Sequence, residues 1–281
     1  MIIQKVLNNN AAIIKDQGQE KVALGSGLAF NKKKYDEISA EQVEKLFVMA
    51  ADDQLKFSQL LHNFPESYVD VVREIVRRSE HSLGATFGDR LYATLFEHVS
   101  MAIERLQNGA AITNQLLPEI KILYAEEMEV ALWAASLIEE KLGVKVPESE
   151  AGFIAMHLHT ARAQQGTLRE ATVRAQAVQD MVKIIEEQLQ VSFPKEHAAY
   201  QGLTIHLNLA VRAAQKGESL EGTPVDMREM VEKKYPQIYQ SASQAMQMLQ
   251  KDWSVELPAD EVVYISMHVQ RLLHAANETL K

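Results

Sequence analysis

An internal repeat constrains the fold of this chain more than any other feature of its sequence. When the sequence is shifted by 111 positions against itself, the region 124–157 matches the region 235–268 without a gap. The identical pairs there are Tyr124/Tyr235, Ala131/Ala242, Ala134/Ala245, Val144/Val255, Pro147/Pro258, Glu150/Glu261, Ile154/Ile265, Met156/Met267 and His157/His268. A second block matches at an offset of 108, with the pairs His98/His206, Ala102/Ala210, Gln107/Gln215 and Gly109/Gly217. The chain therefore contains two homologous domains in tandem, each of about 110 residues.

The spacing of apolar residues predicts that both repeats are helical. In the segment 90–106, apolar residues recur every three or four positions, which is the spacing of an amphipathic helix. Further helical segments are predicted near 67–80, 119–142, 149–164, 173–190, 198–216, 225–250 and 259–276. Clusters of Gly, Pro and Asn separate them, so each repeat is predicted to be an all-α helical bundle.

The N-terminal segment has the pattern of a small β-sheet instead. Four short apolar runs, separated by turn residues, predict strands at Ile2–Val6, Ala11–Ile14, Val22–Leu24 and Leu28–Phe30. Such an antiparallel sheet buries little surface by itself, so we expect it to dimerise. Residues 36–56 are charged and mostly lack periodicity, which is typical of a connector.

These patterns predict a multidomain protein. A small N-terminal antiparallel β-sheet domain with its linker occupies residues 1–56. Two homologous all-α helical-bundle domains follow, at 57–170 and 171–281.

Charge is distributed unevenly between these segments. The formal net charge is −9, but residues 1–34 hold six lysines and two acidic residues. That segment is therefore +4, which leaves −13 for the remainder. A basic module on an acidic body indicates an anionic partner for the N-terminal end, although a chance run of solvated lysines explains the charge equally well.

The composition limits the chemistry that is available to the chain and the cellular compartment that we expect for it. There is no cysteine, which excludes disulfides, thiolate metal sites and cysteine nucleophiles. The chain has no apolar run of membrane-spanning length, and it does not begin like a secretory signal. We expect a cytoplasmic protein that is not inserted into a membrane.

Four histidines survive the duplication: His98, His157, His206 and His268. Each lies within a predicted helix, on or beside its apolar stripe. A single such histidine usually belongs to the edge of a core, but the repetition of a pair in both domains favours a function.

Three chemistries compete for these histidines. Metal binding is disfavoured because His157 and His159 are two positions apart on a helix and face different ways, and Gln270 replaces His159 in the second repeat. Acid–base catalysis lacks a repeated neighbouring carboxylate, since Ile205 occupies the place of Glu97, and no nucleotide or hydrolase motif is present. Phosphorylation of the imidazole remains: it adds negative charge against apolar neighbours and can change how domains pack.

The turns of the predicted sheet carry side chains suited to RNA. Amides of Asn8 and Asn10 can read base edges, the glycines of Gly25-Ser26-Gly27 allow close backbone approach, and Phe30 can stack on an unpaired base. Lysines such as Lys32 can contact phosphates. The alternative is equally open on this pattern alone: ordinary turn residues, with Phe30 in the core.

Three blocks of the sequence resemble one known family. Residues 5–10 and 24–33 resemble the co-antiterminator RNA-binding domain of BglG/SacY-type transcriptional antiterminators. Residues 98–105 and 152–161 resemble the first regulation domain of these phosphotransferase-system (PTS) regulators, and 200–207 and 264–271 resemble the second. The resemblance covers essentially the whole chain in the domain order of the family.

The resemblance implies a function and its control. Members bind, as homodimers, an RNA hairpin in a leader transcript and so prevent formation of a terminator hairpin. The sugar-specific enzyme II of the PTS generally inactivates them through the first regulation domain, and the phosphocarrier HPr often activates them through the second. Carried over, His98 and His157 are inhibitory phosphorylation sites, and His206 and His268 are activating ones.

The same resemblance assigns an RNA-contacting set: Lys5, Asn8, Asn10, Gly25, Ser26, Gly27, Phe30 and Lys32. It implies a regulator that is not an enzyme and that needs no cofactor or metal. Many members have arginine where this chain has Ser26, and a small residue there favours a sucrose-type operon, with β-glucosides next. Many also have aspartate where this chain has Glu97. The extra His159 is expected to be secondary.

Two other classes of protein stay open. A DNA-binding activator controlled by the same regulation domains would need a helix-turn-helix, which the β-rich N-terminal segment disfavours. A metal-dependent or acid–base enzyme would need a convergent site, and the sequence offers none.

Overall fold

The computed structural model describes residues 1–48, 51–162, 168–218 and 225–279. Among them, four strands are followed by eleven α-helices. The strands are β1 (Ile2–Asn8), β2 (Ala11–Asp16), β3 (Gln19–Leu24) and β4 (Lys45–Phe47). The helices are α1 (Ala51–Asn63), α2 (Glu66–Leu83), α3 (Asp89–Gln107), α4 (Leu117–Leu123), α5 (Ala125–Leu142), α6 (Glu148–Arg162), α7 (Leu168–Leu189), α8 (Ala198–Lys216), α9 (Val225–Lys234), α10 (Pro236–Trp253) and α11 (Glu261–Thr279).

The predicted fold class is confirmed: an antiparallel sheet at the N-terminus and helical bundles after it. The strands follow one another in the order β1-β2-β3-β4, all antiparallel. The β2–β3 hairpin closes through Gln17 and Gly18, both at positive φ, which is the two-residue turn that matches the twist of the flanking strands. Ile3, Ile14 and Leu28 are at the centre of its small core.

The fourth strand was predicted in the wrong place. Residues 28–30 form consecutive turns, in which the amides of Leu28 and Phe30 donate to the carbonyls of Gly25 and Gly27. Leu28 is buried through these turns and not through strand pairing. The fourth strand is β4, which lies inside the predicted connector and pairs with β3.

Three helix boundaries also differ from the prediction. The predicted helix 119–142 is divided at Tyr124 into α4 and α5, and the predicted helix 225–250 is divided at Tyr235 into α9 and α10. Tyr124 and Tyr235 match in the duplication and have nearly the same backbone angles, with φ of −128° and −132°. Helix α1 begins at Ala51, within the predicted connector.

The described residues form two compact units. The first contains residues 1–48, 51–114 and 126–162, and so joins the sheet to α1–α3, most of α5, and α6. Within it, the ring of Phe47 on β4 packs 5.1 Å from Phe57 of α1 and 5.4 Å from Tyr92 of α3. These rings tie the sheet to the first helices.

The second unit contains residues 115–125, 168–218 and 225–279. Although α4 precedes α5 in the chain, it belongs to this unit and packs against α7 and α8. The buried Tyr200 hydroxyl of α8 donates to the buried carboxylate of Glu119, 3.2 Å away, and Ile122 packs on the core of the unit. No helix in the described part of the chain is long and apolar enough to cross a lipid bilayer.

Candidate RNA interface and histidine sites

Hydrogen bonds join the two turns that were predicted to contact RNA. The Asn10 side-chain oxygen accepts from the Gly27 amide at 2.7 Å, and the Asn10 carbonyl accepts from the Gly25 amide at 3.0 Å. The Asn10 amide donates to the side-chain oxygen of Asn8 at 2.9 Å. The structure therefore brings the asparagine turn (residues 8–10) and the glycine turn (residues 25–31) to one end of the sheet.

Gly25 lies where this end of the sheet leaves no room for a side chain. A Cβ at this position would come 2.0 Å from the carbonyl oxygen of Gln42, well inside contact distance. Gly25 is thus required by packing within the domain, whether or not its backbone approaches RNA.

The exposed side chains of this end are those that an RNA strand could reach. Phe30 is 60% exposed, so it is not the core residue that the alternative interpretation required. Ser26 and Lys5 are exposed as well. Lys32 is half-buried, and its ammonium group donates to the carbonyl of Glu37 at 3.2 Å. Lys5 lies on β1 opposite Ile13.

Helices α1 and α2 contact the asparagine turn directly. The Asn8 side-chain nitrogen donates to the carbonyl of Leu61 in α1 at 2.9 Å. The carboxylate of Glu66, at the start of α2, accepts from the Asn9 amide at 2.7 Å and from the Asn10 side-chain nitrogen at 3.2 Å. Sequence reasoning did not predict these contacts, because nothing local in the sequence brings residue 66 to the turn.

His98 and His157 form a pair of imidazoles in the first unit. Helix α3 carries His98, α6 carries His157, and the two helices pack together. The ring centroids are 5.1 Å apart, and Phe153 lies 5.9 Å from His98. One turn of α6 separates Phe153 from His157, so both rings face α3.

The environment of this pair keeps both imidazoles uncharged. Burial, helped by the positive charge of Arg105, lowers the pKa of His98 from 6.5 to about 4. Burial, helped by His98, lowers the pKa of His157 to about 3. Both rings therefore keep a nitrogen lone pair at neutral pH, which is the form that can act as a nucleophile.

A buried carboxylate and a guanidinium complete the first site. Glu150 of α6 is fully buried, and one of its oxygens accepts from Arg105 of α3 at 2.8 Å. Its other oxygen lies 3.5 Å from Nε2 of His98, without the geometry of a hydrogen bond. These two atoms, together with Nε of Arg105, are buried and lack a hydrogen-bond partner among the described residues.

The second unit repeats the pair with one difference. The ring centroids of His206 on α8 and His268 on α11 are again 5.1 Å apart, and Tyr264 takes the place of Phe153. Nε2 of His206, however, donates to Glu261 at 2.8 Å. The residue that matches Arg105 at the 108 offset is Ala213, so no guanidinium from that position competes for the carboxylate.

Glu150 and Glu261 are neighbours of the histidine pairs that were not predicted from the sequence. The carboxylate next to His98 in the chain is that of Glu97, which is exposed on α3. The carboxylate that is beside His98 comes from another helix. The duplication already contained the signal, because Glu150 and Glu261 are an identical pair at the same offset as His157 and His268.

His159 stands apart from the histidine pair. Its Nδ1 lies 3.3 Å from the buried carboxylate of Glu127, which also pairs with Arg162. These contacts tie α6 to α5 within the first unit.

Comparisons with known proteins identify the domains. The model of the CAT RNA binding domain matches residues 1–56, and the model of the PRD domain matches residues 73–161 and 179–272. The chain therefore belongs to the family of BglG/SacY-type antiterminators, regulators with an RNA-binding domain followed by two PRD domains.

Several relatives are similar along their whole length. Transcription antiterminator LicT of Bacillus subtilis (strain 168) is 31% identical over 98% of this chain and 100% of its own. The beta-glucoside operon antiterminator of Dickeya chrysanthemi is 29% identical over 97% and 96%, and Protein GlcT of Staphylococcus epidermidis is 30% identical over 95% of each chain. The crystal structure of GlcT CAT-PRDI superimposes with a TM-score of 0.52 at 33% identity, and the match covers 57% of this chain and 97% of that one.

Proposed function

We propose that this chain acts as a homodimer that binds an RNA hairpin in the leader transcript of a sugar-utilisation operon. The bound hairpin prevents the terminator from forming, so transcription continues into the operon. Phosphorylation of histidines by the PTS sets the activity, and the protein works in the cytoplasm where the transcript is made.

One observation supports this proposal above the others: two imidazole pairs with the same 5.1 Å ring separation, one in each copy of a duplicated domain, behind an RNA-binding module. Structural histidines at the edge of a core need no such repetition. A neutral ring beside a carboxylate suits reversible phosphorylation, because the carboxylate can hold the ring and receive its N–H proton.

A ring nitrogen of the acceptor histidine forms a bond to phosphorus while the bond between phosphorus and the side-chain atom of the phosphorylated donor breaks. The bonding electrons return to that donor atom, which takes up a proton, and the acceptor ring releases its N–H proton. For His98 and His157 the donor is a sugar-specific enzyme II, and for His206 and His268 it is HPr.

Binding of a labelled leader hairpin, measured by fluorescence anisotropy, tests the RNA part of the proposal. Phe30→Ala should weaken binding by about 1–3 kcal/mol, the value of one aromatic–base stack. Tyr35→Ala is a matched control, because Tyr35 is also exposed in the N-terminal domain but lies outside the predicted contact set. Equal effects of the two substitutions, or equal affinity for duplex DNA, would contradict the assignment.

The inducing sugar can be addressed with the same assay. Ser26 between Gly25 and Gly27 favours a sucrose-type operon, whereas the name of one relative refers to a beta-glucoside operon. Tighter binding to a hairpin from a sucrose operon than to one from a β-glucoside operon is the expected result.

The regulatory part of the proposal is tested at the histidines themselves. After incubation with the PTS phosphorelay, mass spectrometry should locate phosphate on His98, His157, His206 and His268. His206→Asp together with His268→Asp should strengthen dimerisation in analytical ultracentrifugation, because aspartate imitates the added charge. The paired His→Asn variants are the control, and no phosphate on any of the four histidines would refute the mechanism.

A further inference from the structure

A cavity of about 540 Å³ opens beside His268 in the second unit. Gly202 and Tyr235 form part of its wall, and the ring of His268 lies against Gly202. Besides His268, three basic side chains line it: His197, Arg271 and His274. None of the residues that line the cavity is acidic, so its donors face an opening without a competing carboxylate on its walls.

One donor of this cavity, His197, is oriented by the fold. His197 caps the start of α8, and its Nδ1 accepts from the Ala199 amide at 3.0 Å. In the neutral ring the proton is therefore on Nε2, which makes that atom a donor. Arg271 lies three residues after His268 on α11. Burial lowers the pKa of His268, with smaller contributions from His206 and from the positive charge of Arg271.

The first domain does not repeat this basic lining. By the offsets of the duplication, Asp89 stands where the second domain has His197, and Thr160 stands where it has Arg271. Asp89 is already paired with Lys45 at 3.2 Å. The histidine pair is common to both domains, whereas the positions of His197 and Arg271 carry no basic residue in the first domain.

We propose that this cavity is a phosphoryl-binding subsite, in which Arg271 and His197 hold the oxyanion of a phosphoryl group as it is transferred to His268. This inference rests on the proposed phosphorylation of the second domain and adds the groups that receive the donor's phosphate. A guanidinium binds phosphate oxygens through charge-assisted, often bidentate hydrogen bonds, and an imidazole N–H adds a further donor.

Inorganic phosphate is the probe for the subsite, because its binding needs no phosphorelay. In the full-length protein, titration with phosphate should give saturable shifts of the His268 Cε1–H and Arg271 Nε–H resonances. Arg271→Gln should weaken phosphate binding about tenfold, as expected for the loss of a charged hydrogen bond. Arg212→Gln, an exposed position on α8 outside the cavity, should leave the affinity unchanged.

The second experiment measures phosphoryl transfer from HPr. Arg271→Gln should slow this transfer to His268, while phosphorylation of His98 by the sugar-specific enzyme II, added to the same mixture, serves as an internal control. Absent or non-saturable shifts with phosphate, or equal weakening by Arg212→Gln, would overturn the subsite. Normal phosphate binding without any histidine phosphorylation would instead overturn the proposed function.

Carboxylates hold both the asparagine turn and the glycine turn at one end of the sheet. The carboxylate of Glu66 accepts from Asn9 and Asn10, as described above, and the carboxylate of Glu44 accepts from the Ser26 amide at 3.0 Å. Arg73 of α2 forms an ion pair with that same Glu44. Both turns are thus held by carboxylates that α2 supplies or orients.

These carboxylates occupy the donors that RNA would use. Backbone N–H groups and asparagine amides at a turn are suited to phosphate and base oxygens, and a carboxylate satisfies them in the same way. It also places negative charge where the polyanion must approach.

We propose that Glu66 is an intramolecular competitor of RNA, through which the first regulation domain restrains the RNA-binding turns. Release of Glu66 frees the Asn9 and Asn10 donors, so any change in the helices that moves α2 changes the affinity for the hairpin. This inference rests on the proposed RNA interface.

Glu66→Ala in the full chain tests the competition. The variant should bind the leader hairpin about tenfold more tightly than the wild type, since one charged competitor of two hydrogen bonds is gone. Glu74→Gln, on the same helix, removes one negative charge at a residue outside these contacts and measures the non-specific electrostatic gain. Hydrogen exchange of the Asn9 amide should accelerate in Glu66→Ala and not in Glu74→Gln.

The outcomes separate the two proposals. Equal hairpin affinities of Glu66→Ala and Glu74→Gln, or an Asn9 amide that exchanges as in the wild type, would overturn the restraint by Glu66. Failure of every variant, wild type included, to bind the hairpin would overturn the proposed RNA function.

Discussion

Acidification should destabilise the first unit through its histidine pair. In the folded protein the pKa of His98 is about 4 and that of His157 is about 3, whereas each is 6.5 in the unfolded chain. As the pH falls below 6.5, both histidines become protonated in the unfolded chain but stay uncharged in the folded protein. The free energy of unfolding therefore has its full value above the unfolded-state pKa of 6.5. It decreases as the pH falls toward the pKa values of the two histidines in the folded protein.

The size of the effect follows from linkage. Between about pH 7.5 and about pH 5, each of the two histidines should cost about 2 kcal/mol of unfolding free energy, because each remains uncharged in the folded state over this range. Replacing His157 with glutamine removes one of the two titrating groups. The acid-induced loss should then be about 2 kcal/mol smaller than in the wild type.

The two tryptophans allow this to be measured in the full chain. Trp133 is on α5 of the first unit and Trp253 is on α10 of the second. In a Trp253→Phe background, urea denaturation followed by fluorescence reports on the surroundings of Trp133. The free energies of unfolding with His157 and with His157→Gln are compared in this background at each pH. The pH-dependent contribution of the carboxylates, which is the same in both proteins, then cancels. If the protein with His157 and the His157→Gln protein lose the same amount of stability on acidification, His157 is protonated in the folded protein as readily as in the unfolded chain. That result would refute a lowered pKa for His157.

Arg105→Gln should raise the pKa of His98, because it removes a positive charge and leaves the neighbouring carboxylate without its guanidinium; histidine NMR titration measures this. Gly25→Ala should destabilise the N-terminal domain by about 1–3 kcal/mol, since the new methyl group must displace the Gln42 carbonyl. Thermal unfolding of the full chain should show this loss, with Ser26→Ala at the exposed neighbouring position as the comparison.

The repeat predicted the domain architecture because it reports on whole domains at once. Two copies of one pattern at a fixed offset require two similar folds, whatever the local propensities are. The break at Tyr235 was predictable from Pro236, since proline ends the preceding helix. The matching break at Tyr124 precedes Ala125, and only the duplication could have indicated it.

The sequence was enough to predict which histidines form the pairs, but not how their side chains are arranged or which residues surround them. The sequence identified His98 and His157, yet their partners depend on how α3 packs against α6, which no local pattern encodes. The same reason explains the misplaced strand: Leu28 is apolar because turns bury it, while β4 is recognisable only from its pairing with β3. In both cases, the partners of the histidines and the position of the fourth strand, tertiary contacts determine the structure and local sequence patterns do not.

The duplicated domains have kept their histidines and changed the cations around them. In the first, Arg105 on α3 holds Glu150 on α6, so a phosphoryl group on His98 would compete with that carboxylate for the guanidinium of Arg105. The ion pair between the two helices would then weaken, and their packing with it. In the second, a phosphoryl group on His268 would meet the open cavity and Arg271, and the hydrogen bond of His206 with Glu261 between α8 and α11 would be left in place. One modification can thus loosen one domain and consolidate the other, which is the physical requirement for a pair of sites with opposite effects on the same RNA-binding module.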